Sequence, residues 1–472
     1  MKKLSDLYEN SEDIIINDIK TNSKEVRKND LFVCIKGVIK DRHEYIHEAI
    51  KNGASAVVAS KKIKVNVPLI LVKDTNKELI KLSKKFYDYD SNLVLIATTG
   101  TNGKTTTSKI IQDLIGDKCG YIGTNGLSYQ NTTKEIRNTT PSPDRLYKYF
   151  KELKDNNCNI ISMEASSEAF LRNRLDDLKF DIGILTNITE DHLNVHKTLK
   201  NYIDCKKELF KNIKEDGASI LNVDDKYFEE FKKIAKGKIL TYGKKKSTLE
   251  IKDIKLFKDK TEFKVKYKSK LYKIETILKG EFNVYNICAS ILALLFLNYK
   301  IEDIIKKIQN IKVPQGRVEY LNFNQDYSII LDYAHTPDAL EKIYNYVKNI
   351  NVNKVISLTG SAGGREKEKR KYMGKIVFDN SDITIFTMDD PRYEDVNEII
   401  DDLALLLKPN NYIRIINRKK AIYKALSLAK QNDVVLILGK GRDNYMAIKD
   451  KYLKYNDYDV IKSYFENKKS DI

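Results

Sequence analysis

The stretch from Leu93 to Thr107, LVLIATTGTNGKTTT, organises the rest of the chain. An apolar run, Leu93 to Ala97, predicts a strand, and SKIIQDLIG after Gly103-Lys104-Thr105 has the pattern of a helix. Backbone N–H groups at such a helix start bind phosphate, a lysine neutralises its oxygens, and a threonine hydroxyl reaches Mg²⁺. Thr98 stands where the common phosphate loop has its first glycine, so Gly100 supplies the flexibility. The stretch predicts a variant nucleotide-binding loop, and a glycine-rich turn without a ligand is the alternative.

Length and composition set the broad class. A chain of 472 residues with 42% hydrophobic residues predicts two to four domains. No apolar run approaches a membrane span of about 20 residues, and the start of the chain lacks the pattern of a signal peptide. The five cysteines form no CxxC pair, which argues against a zinc cluster and favours a reducing compartment. We therefore expect a cytoplasmic protein without membrane insertion.

The net charge of +18 admits two interpretations. A basic total is typical of proteins that bind polyanions, which would suggest a nucleic-acid-binding ATPase. However, the lysines are spread along the whole chain, and no basic stripe carries interleaved aromatic residues. We favour solvated, lysine-rich helix faces, and we expect a monomer that does not bind nucleic acid.

The pattern of strands and helices predicts an α/β fold with three domains. Residues 1–88 read as a small α/β domain, and residues 89–313 as a central domain with a mostly parallel sheet. Within the central domain, residues 249–278 predict a local antiparallel sheet. Residues 314–472 begin a second alternating series, which predicts a Rossmann-like domain. Ligands of such sheets bind beyond the carboxyl ends of the strands.

Polar residues follow two strands of the central domain. Glu164 ends the segment NIISMEASS, and Asp191-His192 follow FDIGILTN, so both should lie near the phosphate loop. A carboxylate and a histidine beside bound phosphates suit a divalent metal held jointly by protein and nucleotide. A histidine with a purely structural role is the alternative. Lys206, on the next helix, is by spacing alone an ordinary solvated lysine.

A second group of polar residues follows the strands of the last domain. Asp332 to Pro337, DYAHTP, joins a strand to a helix, with Thr336 as a helix cap. Carboxylates and arginines that converge at one sheet edge bind a zwitterion, and a surface salt-bridge network is the alternative. The candidates are Arg365, Asp389, Asp390, Arg392, Gly439, Arg442 and Asp443. Asn283 and Asn286 either bind an adenine edge or cap their own helix.

Taken together, these motifs resemble the Mur ligase family. Their order and spacing carry the resemblance over nearly the whole chain: TNSKEVRKNDLFVCIKG, TTGTNGKTTT, GYIGTNG, NTTP, MEASSEAF, TNITEDHLNVH, YIDCKKELF, GEFNVYN, VPQGRVE, DYAHTPDAL, MDDPRYED and LGKGRDNY.

The resemblance implies an N-terminal uridine-binding domain, a central P-loop-type ATP-binding domain and a C-terminal amino-acid-binding domain. It also implies an ADP-forming ligase of peptidoglycan precursor synthesis, and so a role in cell-wall growth, cell shape and division. ATP phosphorylates the D-glutamate γ-carboxylate of UDP-N-acetylmuramoyl-L-Ala-D-Glu, and a free diamino acid then attacks the acyl phosphate. ATP and Mg²⁺ are the implied cofactors.

The resemblance assigns roles residue by residue. The catalytic residues are Lys104, Glu164, His192 and Lys206, the last as a carbamate. The metal ligands are Thr105, Glu164, His192 and the Lys206 carbamate. ATP is held by Gly100, Thr101, Asn102, Gly103, Lys104, Thr105, Thr106, Asn283, Asn286, Arg317, Asp332 and His335. The UDP-linked substrate is held by Ser23, Lys24, Thr139, Thr140, Ser166 and Arg174, and the incoming amino acid by Arg365, Asp390, Arg392, Gly439 and Asp443.

Some positions depart from the family pattern. Lys24 replaces a common arginine, Arg42 stands where a glycine is usual, and Glu168 replaces a histidine, so we assign no role to Glu168. Three further departures bear on the amino acid: Asp390 replaces an asparagine, Asp443 a glutamate and Arg442 a histidine. The retained Arg392 favours a distal carboxylate, as in meso-diaminopimelate, whereas the extra charge of Asp390 favours a cationic tip, as in L-lysine or ornithine; diaminopimelate is the preferred prediction. A folylpolyglutamate-synthetase-like ligase and an inactive paralogue remain as alternatives.

Overall fold

The computed structural model describes residues 1–37, 41–408 and 411–470, and it has a mixed α/β fold with several sheets. Each third of the chain builds its own sheet, and the largest sheet lies in the middle third. Three α/β units therefore follow one another along the chain, as the alternating pattern predicted. The boundaries at residues 88 and 313 stay a prediction.

The N-terminal unit contains a small parallel sheet. Its four strands lie in the order β3-β4-β5-β6, and β1 and β2 form a separate antiparallel pair. The strands are β1 Lys2–Lys3, β2 Ile15–Ile16, β3 Ile19–Lys20, β4 Asp30–Val33, β5 Ala54–Ala59 and β6 Leu69–Leu71. The helices are α1 Leu4–Leu7, α2 Ile46–Lys51 and α3 Thr75–Phe86, with 3-10 turns at Ser23–Glu25 and Arg42–Tyr45.

The central unit contains a sheet of eleven strands in the order β10-β9-β8-β11-β7-β12-β13-β14-β15-β16-β17. Pairing is parallel from β8 to β15 and antiparallel at both ends. The strands are β7 Val94–Thr99, β8 Cys119–Gly123, β9 Gly126–Tyr129, β10 Thr132–Lys134, β11 Ile160–Glu164, β12 Phe180–Leu185, β13 Ile213–Asn222, β14 Lys238–Gly243, β15 Leu249–Leu256, β16 Thr261–Tyr267 and β17 Lys270–Thr276.

The strand order places the phosphate loop at a switch point. β7 lies between β11 on one side and β12 on the other, and ligands of open parallel sheets bind where the connections diverge in this way. The helices of this unit are α4 Lys104–Ile115, α5 Pro143–Asp155, α6 Ser167–Leu171, α7 Leu193–His196, α8 Leu199–Lys211, α9 Phe228–Ile234, α10 Glu281–Phe296 and α11 Ile301–Ile308.

The C-terminal unit has a six-stranded sheet in the order β18-β19-β23-β20-β21-β22. Only its first pair, β18 with β19, is antiparallel within this sheet. The strands are β18 Glu319–Leu321, β19 Ser328–Asp332, β20 Val355–Thr359, β21 Ile383–Phe386, β22 Ile413–Arg414 and β23 Val434–Leu438, with a separate ribbon of β24 Tyr445–Ile448 and β25 Lys451–Lys454. The helices are α12 Pro337–Val347, α13 Glu368–Asp379, α14 Val396–Ala404, α15 Arg418–Leu428 and α16 Asp457–Ser470.

The two faces of the central sheet are buried in different cores. Leu95 and Ala97 of β7 belong to a core that also contains Leu31 and Val58 of the N-terminal unit. Ile96, which points to the other face, packs with α4 and α10. Because successive strand residues alternate between faces, the apolar run of β7 buries both faces, and the N-terminal unit covers one of them.

The antiparallel pairing predicted for residues 249–278 is confirmed in β15, β16 and β17, and β15 also pairs in parallel with β14 and so extends the central sheet. Two local expectations differ from the structure. The loop after β12 contains the short helix α7. Helix α4 begins at Lys104 rather than at Ser108, because Gly103 is its N-cap. In the part of the chain that the structure describes, no helix is long and apolar enough to cross a membrane.

Candidate active site

The phosphate loop lies between the end of β7 and the start of α4. Its Gly103 has φ 90° and is the N-cap of α4, so no capping side chain competes for the first N–H groups of the helix. Gly100 has φ 141°, and a Cβ there would lie 1.9 Å from Oγ1 of Thr186. The loop therefore needs glycine at Gly100 for two reasons, its backbone conformation and the closeness of Thr186.

Lysine and arginine side chains make this loop strongly basic. Nζ of Lys104 donates to the carbonyl oxygens of Gly100 (3.0 Å) and Thr101 (2.9 Å). Arg317 of the C-terminal unit reaches across and donates to Oγ1 of Thr105 (3.2 Å). Burial lowers the pKa of Lys104. An anionic ligand at this loop would find two cationic side chains from two different units.

Other loop residues join the central unit to its neighbours. Oγ1 of Thr101 donates to the carbonyl oxygen of Thr189 (3.0 Å), and the amide of Asn102 donates to Asp338 of the C-terminal unit (2.7 Å). Thr106 lines the large cavity described below. The loop is thus held from outside as well as by its own backbone.

Glu164 lies at the carboxyl end of β11, next to the loop, and is fully buried. Its Oε1 accepts hydrogen bonds from the hydroxyl of Tyr121 (2.6 Å) and the backbone N–H of Thr124 (2.8 Å). Its Oε2 accepts from Oγ1 of Thr124 at 3.3 Å. The carboxylate is fixed mainly through one oxygen, which leaves the second weakly bonded.

His192 is held in an unusual backbone conformation, with φ 58°. Its Nε2 lies 3.5 Å from Oδ2 of Asp191. Burial lowers the pKa of His192 to about 4, so the imidazole is neutral near pH 7 and keeps a lone pair for a ligand. Burial alone would raise the pKa of Asp191, but the neighbouring cationic groups, Lys369 among them, lower it overall.

Lys206 is not the solvated helix lysine that its spacing suggests. It is 1% exposed, and its Nζ donates to the carbonyl oxygen of Gly100 (2.8 Å). The ammonium also lies 4.4 Å from the ring centre of Tyr202. Burial, reinforced by the charge of Lys104, lowers the pKa of Lys206 well below its usual value. Burial therefore favours the neutral amine form of Lys206 at the phosphate loop.

A cavity of about 630 Å³ opens between the central and C-terminal units beside the phosphate loop. Its wall includes seven of the predicted nucleotide residues, three of them in the phosphate loop: Asn102, Gly103, Thr106, Asn286, Arg317, Asp332 and His335. Its volume lies in the range of small-molecule and cofactor sites.

Two of the predicted nucleotide-binding residues form hydrogen bonds that orient neighbouring groups. Asn283 is not in the cavity wall; its Oδ1 accepts from the amide of Asn286 (3.0 Å) and so orients that side chain. Asp332 accepts the N–H groups of Val318 (2.6 Å) and Ala334 (2.7 Å), which shapes the loop. Burial raises the pKa of Asp332 and lowers that of His335, so His335 is neutral near pH 7.

Four of the predicted UDP-substrate residues form one network beside Glu164. Thr140 donates to the carbonyl oxygen of Glu164 (2.8 Å) and contacts Oγ of Ser166 (3.1 Å). Arg174 donates to the carbonyl oxygen of Thr140 (2.9 Å), and Thr139 contacts Thr124. The network brings substrate candidates and a catalytic candidate to one sheet edge.

The remaining two candidates lie in the N-terminal unit. Ser23 is buried and donates to Glu48 (2.7 Å), and Lys24 is exposed. A cavity of about 180 Å³ lies between the N-terminal and central units, but its described lining does not include either residue. That lining contains three arginines and a tyrosine, of which sequence reasoning noted only the first: Arg42, Arg137, Arg145 and Tyr149.

A second site, of about 140 Å³, lies next to the phosphate loop, again between the central and C-terminal units. Both cationic and anionic side chains line it, together with His192 of the central unit. The predicted amino-acid residues are all in its wall: Arg365, Asp390, Arg392, Gly439 and Asp443. Further charged and aromatic lining comes from Asp389, Lys369 and Tyr445. We refer to this site as the amino-acid pocket.

One buried lysine forms ion pairs with three carboxylates of the amino-acid pocket. Lys440 is 0% exposed, and its Nζ lies 2.8 Å from Asp390, 3.6 Å from Asp389 and 3.7 Å from Asp443. Burial alone would lower the pKa of Lys440, but these three carboxylates raise it overall. The added charge of Asp390 is therefore offset within the protein, which weakens the argument for a purely cationic ligand.

Asp443 accepts one bifurcated hydrogen bond from a tyrosine hydroxyl. Tyr333 lies 2.9 Å from each carboxylate oxygen of Asp443, and its ring carries the guanidinium of Arg317 at 4.8 Å. Burial raises the pKa of Asp443 to about 6, although Lys440 and Tyr333 act in the opposite direction. A carboxylate that titrates near neutral pH thus lines the amino-acid pocket.

Two sequence departures lie away from these sites. Arg442 pairs with Glu319, with Nε 2.9 Å from the carboxylate, and stacks on Tyr458, so it does not line the amino-acid pocket. Glu168 pairs with Arg172 on the surface (2.7 Å). Sequence reasoning gave no role to Glu366, Lys369, Tyr333 and Lys440. Lysines and glutamates are abundant, and although Tyr333 and Lys440 lie in the motifs DYAHTPDAL and LGKGRDNY, only the structure shows what they contact.

Family models match almost the whole chain. The "Mur ligase family, catalytic domain" matches residues 15–97, the "Mur ligase middle domain" residues 98–294, and the "Mur ligase, glutamate ligase domain" residues 316–441. The three matches follow one another in the order of the three structural units.

Characterised relatives resemble the chain over nearly its full length. The UDP-N-acetylmuramoyl-L-alanyl-D-glutamate–2,6-diaminopimelate ligase of Bacillus velezensis is 36% identical, and the match covers 94% of this chain and 93% of the relative. Such a ligase of Clostridium acetobutylicum is also 36% identical, over 96% of this chain and 95% of the relative.

Solved structures share the fold. A UDP-N-acetylmuramoyl-L-alanyl-D-glutamate–2,6-diaminopimelate ligase superposes with a TM-score of 0.65 at 26% identity, covering 96% of this chain and 95% of the other. The MurF ligase of Thermotoga maritima, solved with ADP, gives 0.71 at 20% identity, covering 98% of this chain and all of the other; it speaks for the fold alone. From the family models and the relatives that span it, the chain belongs to the Mur ligase family, as its motifs predicted.

Proposed function

We propose that this chain is an ATP-dependent ligase that joins meso-diaminopimelate to UDP-N-acetylmuramoyl-L-alanyl-D-glutamate in peptidoglycan precursor synthesis. The observation that carries the proposal is the amino-acid pocket. It presents Arg365 and Arg392 together with the carboxylates of Asp390 and Asp443, and it includes His192 of the phosphate-loop region. Arginines pair with carboxylates and aspartates with ammonium groups, so the pocket suits a ligand with both at its ends.

The choice of diaminopimelate over lysine rests on charge. Lys440 offsets part of the negative charge of Asp389, Asp390 and Asp443, whereas Arg392 has no such partner among the carboxylates of the pocket wall in the described contacts. A ligand that ends in a carboxylate as well as an ammonium satisfies both sides. L-Lysine would leave the guanidinium of Arg392 without an anion.

Mg²⁺ fits the residues as a nucleotide-borne ion. In residues 1–37, 41–408 and 411–470, no group of three or more His, Cys, Asp or Glu could hold a metal. Mg²⁺ commonly takes one or two carboxylates together with substrate phosphates, and Glu164 keeps one weakly bonded oxygen beside the loop. Thr105, Glu164 and His192 are the residues that would hold it, and it would screen the charge of the phosphates.

Lys206 has the environment that a carbamate requires. The neutral amine is the form that attacks CO₂, and burial favours that form at Lys206. As the amine bonds to CO₂ it loses a proton, and the product is an anion whose charge the Lys104 side chain would offset. We propose that Lys206 carries a carbamate that helps to hold the metal.

The reaction proceeds in two balanced steps. A carboxylate oxygen of the D-glutamate attacks the γ-phosphorus of ATP, and ADP leaves; Lys104 and Arg317 offset the negative charge there. The amine of the diamino acid then attacks the acyl carbon, phosphate leaves, and the amine loses a proton. Both sites lie between the same two units, so closure of these units over the ligands would keep water from the acyl phosphate.

Phosphate release with single amino acids tests the proposal. The reaction contains ATP, Mg²⁺ and UDP-N-acetylmuramoyl-L-Ala-D-Glu, and each amino acid is added in turn. We expect meso-diaminopimelate to start turnover and to add its mass to the nucleotide. Turnover with L-lysine or ornithine alone would overturn the assignment of the amino acid, and turnover with a folate in place of the UDP substrate would overturn the ligase branch.

A further inference from the structure

A short segment of the C-terminal unit contacts the loop that carries His192. Oε1 of Glu366 accepts the backbone N–H groups of Leu193 and of Asn194, the latter at 3.2 Å. Three residues further on, Nζ of Lys369 lies 3.2 Å from Oδ1 of Asp191. We refer to residues 365–369 as the clamp segment.

The clamp segment holds both neighbours of His192. Lys369 holds the preceding residue, Asp191, and Glu366 holds the following residue, Leu193. His192 itself has φ 58° and ψ 24°, a left-handed conformation that is uncommon for residues with a side chain and that the contacts on both sides stabilise. The Asp191–Lys369 pair is shielded, with side chains 9% and 13% exposed. The C-terminal unit therefore helps to impose the conformation of a central-unit residue.

The same segment also builds the amino-acid pocket. Arg365, Glu366 and Lys369 line it from the C-terminal unit, and Asp191 and His192 line it from the central unit. The pocket is complete only when the clamp segment contacts the loop. One contact thus links binding of the amino acid to the geometry beside the phosphate loop.

We propose that Glu366 is a positioning residue that holds the His192 loop against the amino-acid pocket, so that the acyl phosphate meets the amine rather than water. This inference rests on the function proposed above. With an amine, the acyl–phosphate bond breaks as an amide forms and the amine loses a proton. With water, the same bond breaks, the carboxylate returns and ATP is consumed without product. When the His192 loop is held less firmly, a larger share of the acyl phosphate should react with water instead of the amine.

The clamp segment offers a matched control. Glu368 lies two residues from Glu366, but its side chain is 88% exposed and pairs with Lys371 of its own helix at 2.9 Å. Glu366→Ala removes the acceptor of two N–H groups, Glu366→Gln keeps a neutral acceptor oxygen, and Glu368→Ala removes a carboxylate of the same segment that has no contact with the loop in the described structure.

The experiment measures phosphate and amide in the same reaction, with ATP, Mg²⁺, UDP-N-acetylmuramoyl-L-Ala-D-Glu and meso-diaminopimelate. We expect equal amounts from the wild type and from Glu368→Ala. For Glu366→Ala we expect several-fold more phosphate than amide and a KM for the diamino acid raised about tenfold, because charged hydrogen bonds are lost. Glu366→Gln should fall between them, and it carries the test if the alanine variant does not fold.

A binding measurement separates positioning from a general loss of activity. Calorimetry with a non-hydrolysable ATP analogue should show the analogue binding all variants equally, and meso-diaminopimelate binding Glu366→Ala more weakly. A wild type that forms no amide would overturn the proposed function and this inference with it. If the wild type forms equal amounts of phosphate and amide, and Glu366→Ala has the same ratio and the same affinity for the diamino acid, the inference alone is overturned.

Discussion

Replacing Tyr333 by Phe isolates one hydrogen bond in the amino-acid pocket. The hydroxyl of Tyr333 lies 2.9 Å from both oxygens of Asp443, and Phe keeps the ring on which Arg317 stacks at 4.8 Å. In the wild type, burial raises the pKa of Asp443 to about 6, and the Tyr333 hydroxyl opposes that rise. The substitution removes the opposing contribution, so the pKa of Asp443 should rise further.

The size of the change follows from the bond. A hydrogen bond to a charged group contributes about 1.5–3 kcal/mol, and one pKa unit corresponds to about 1.4 kcal/mol. The Asp443 side chain is 21% exposed, so solvent screens part of this energy, and we expect a rise of about one unit. If the ionised carboxylate binds the ammonium of the ligand, affinity falls as pH decreases through the pKa.

The assay is the pH dependence of the KM for meso-diaminopimelate between about pH 5.5 and 8.5. For a shift of about one unit, the ionised fraction at pH 6 falls from about one half to about one tenth, so KM should rise about fivefold. At pH 8 the Asp443 carboxylate is almost fully ionised in both proteins, so their KM values should be nearly equal. Tyr445→Phe, which alters another hydroxyl in the pocket wall, should keep the wild-type midpoint. A Tyr333→Phe midpoint equal to that of the wild type would refute the reasoning.

Three further predictions concern the binding sites. Arg392→Ala should raise the KM for meso-diaminopimelate by about 10- to 100-fold, because a charged hydrogen bond is lost, while the KM for ATP stays constant; unchanged affinity for the amino acid would contradict a distal-carboxylate role. Gly100→Ala should abolish ADP binding in calorimetry, since its Cβ would lie 1.9 Å from Thr186, whereas Gly116→Ala, which also has positive φ but nothing within 4 Å, should keep ADP affinity and lose about 1–3 kcal/mol of stability through backbone strain. Wild-type protein in ¹³C-bicarbonate should show a carbamate signal in ¹³C NMR that Lys206→Ala lacks, and absence of the signal from the wild type would remove the carbamate proposal.

Several features of the fold and the site were predictable because they are local. The run from Leu93 to Thr107 contains its strand, its loop and its helix start within fifteen residues, so its pattern alone predicts a phosphate loop. The nearness of Glu164 and His192 to the phosphate loop follows from the geometry of parallel sheets, because β11 and β12 flank β7 and strand ends meet at one edge. The family motifs extend this information along the chain, and the family models confirm the family.

Other features required distances between remote parts of the chain. Asp390 is offset by Lys440 fifty residues away, Arg442 is drawn to Glu319 across 123 residues, and Glu366 holds Leu193 across 173 residues. Each of these charged residues has many possible partners in the sequence, and only the tertiary packing, within the C-terminal unit for Asp390 and Arg442 and between two units for Glu366, selects one.

The sequence by itself therefore determined the class of each element, the phosphate loop and the family, because periodicity and motif spacing are properties of neighbouring residues. The tertiary structure decided which charges of the amino-acid pocket remain available to a ligand, and that Lys206 is a buried amine rather than a solvated one. The physical reason is that burial and ion pairing depend on which surfaces meet when the chain folds, within one unit for Lys206 and Lys440 and between two units for Glu366.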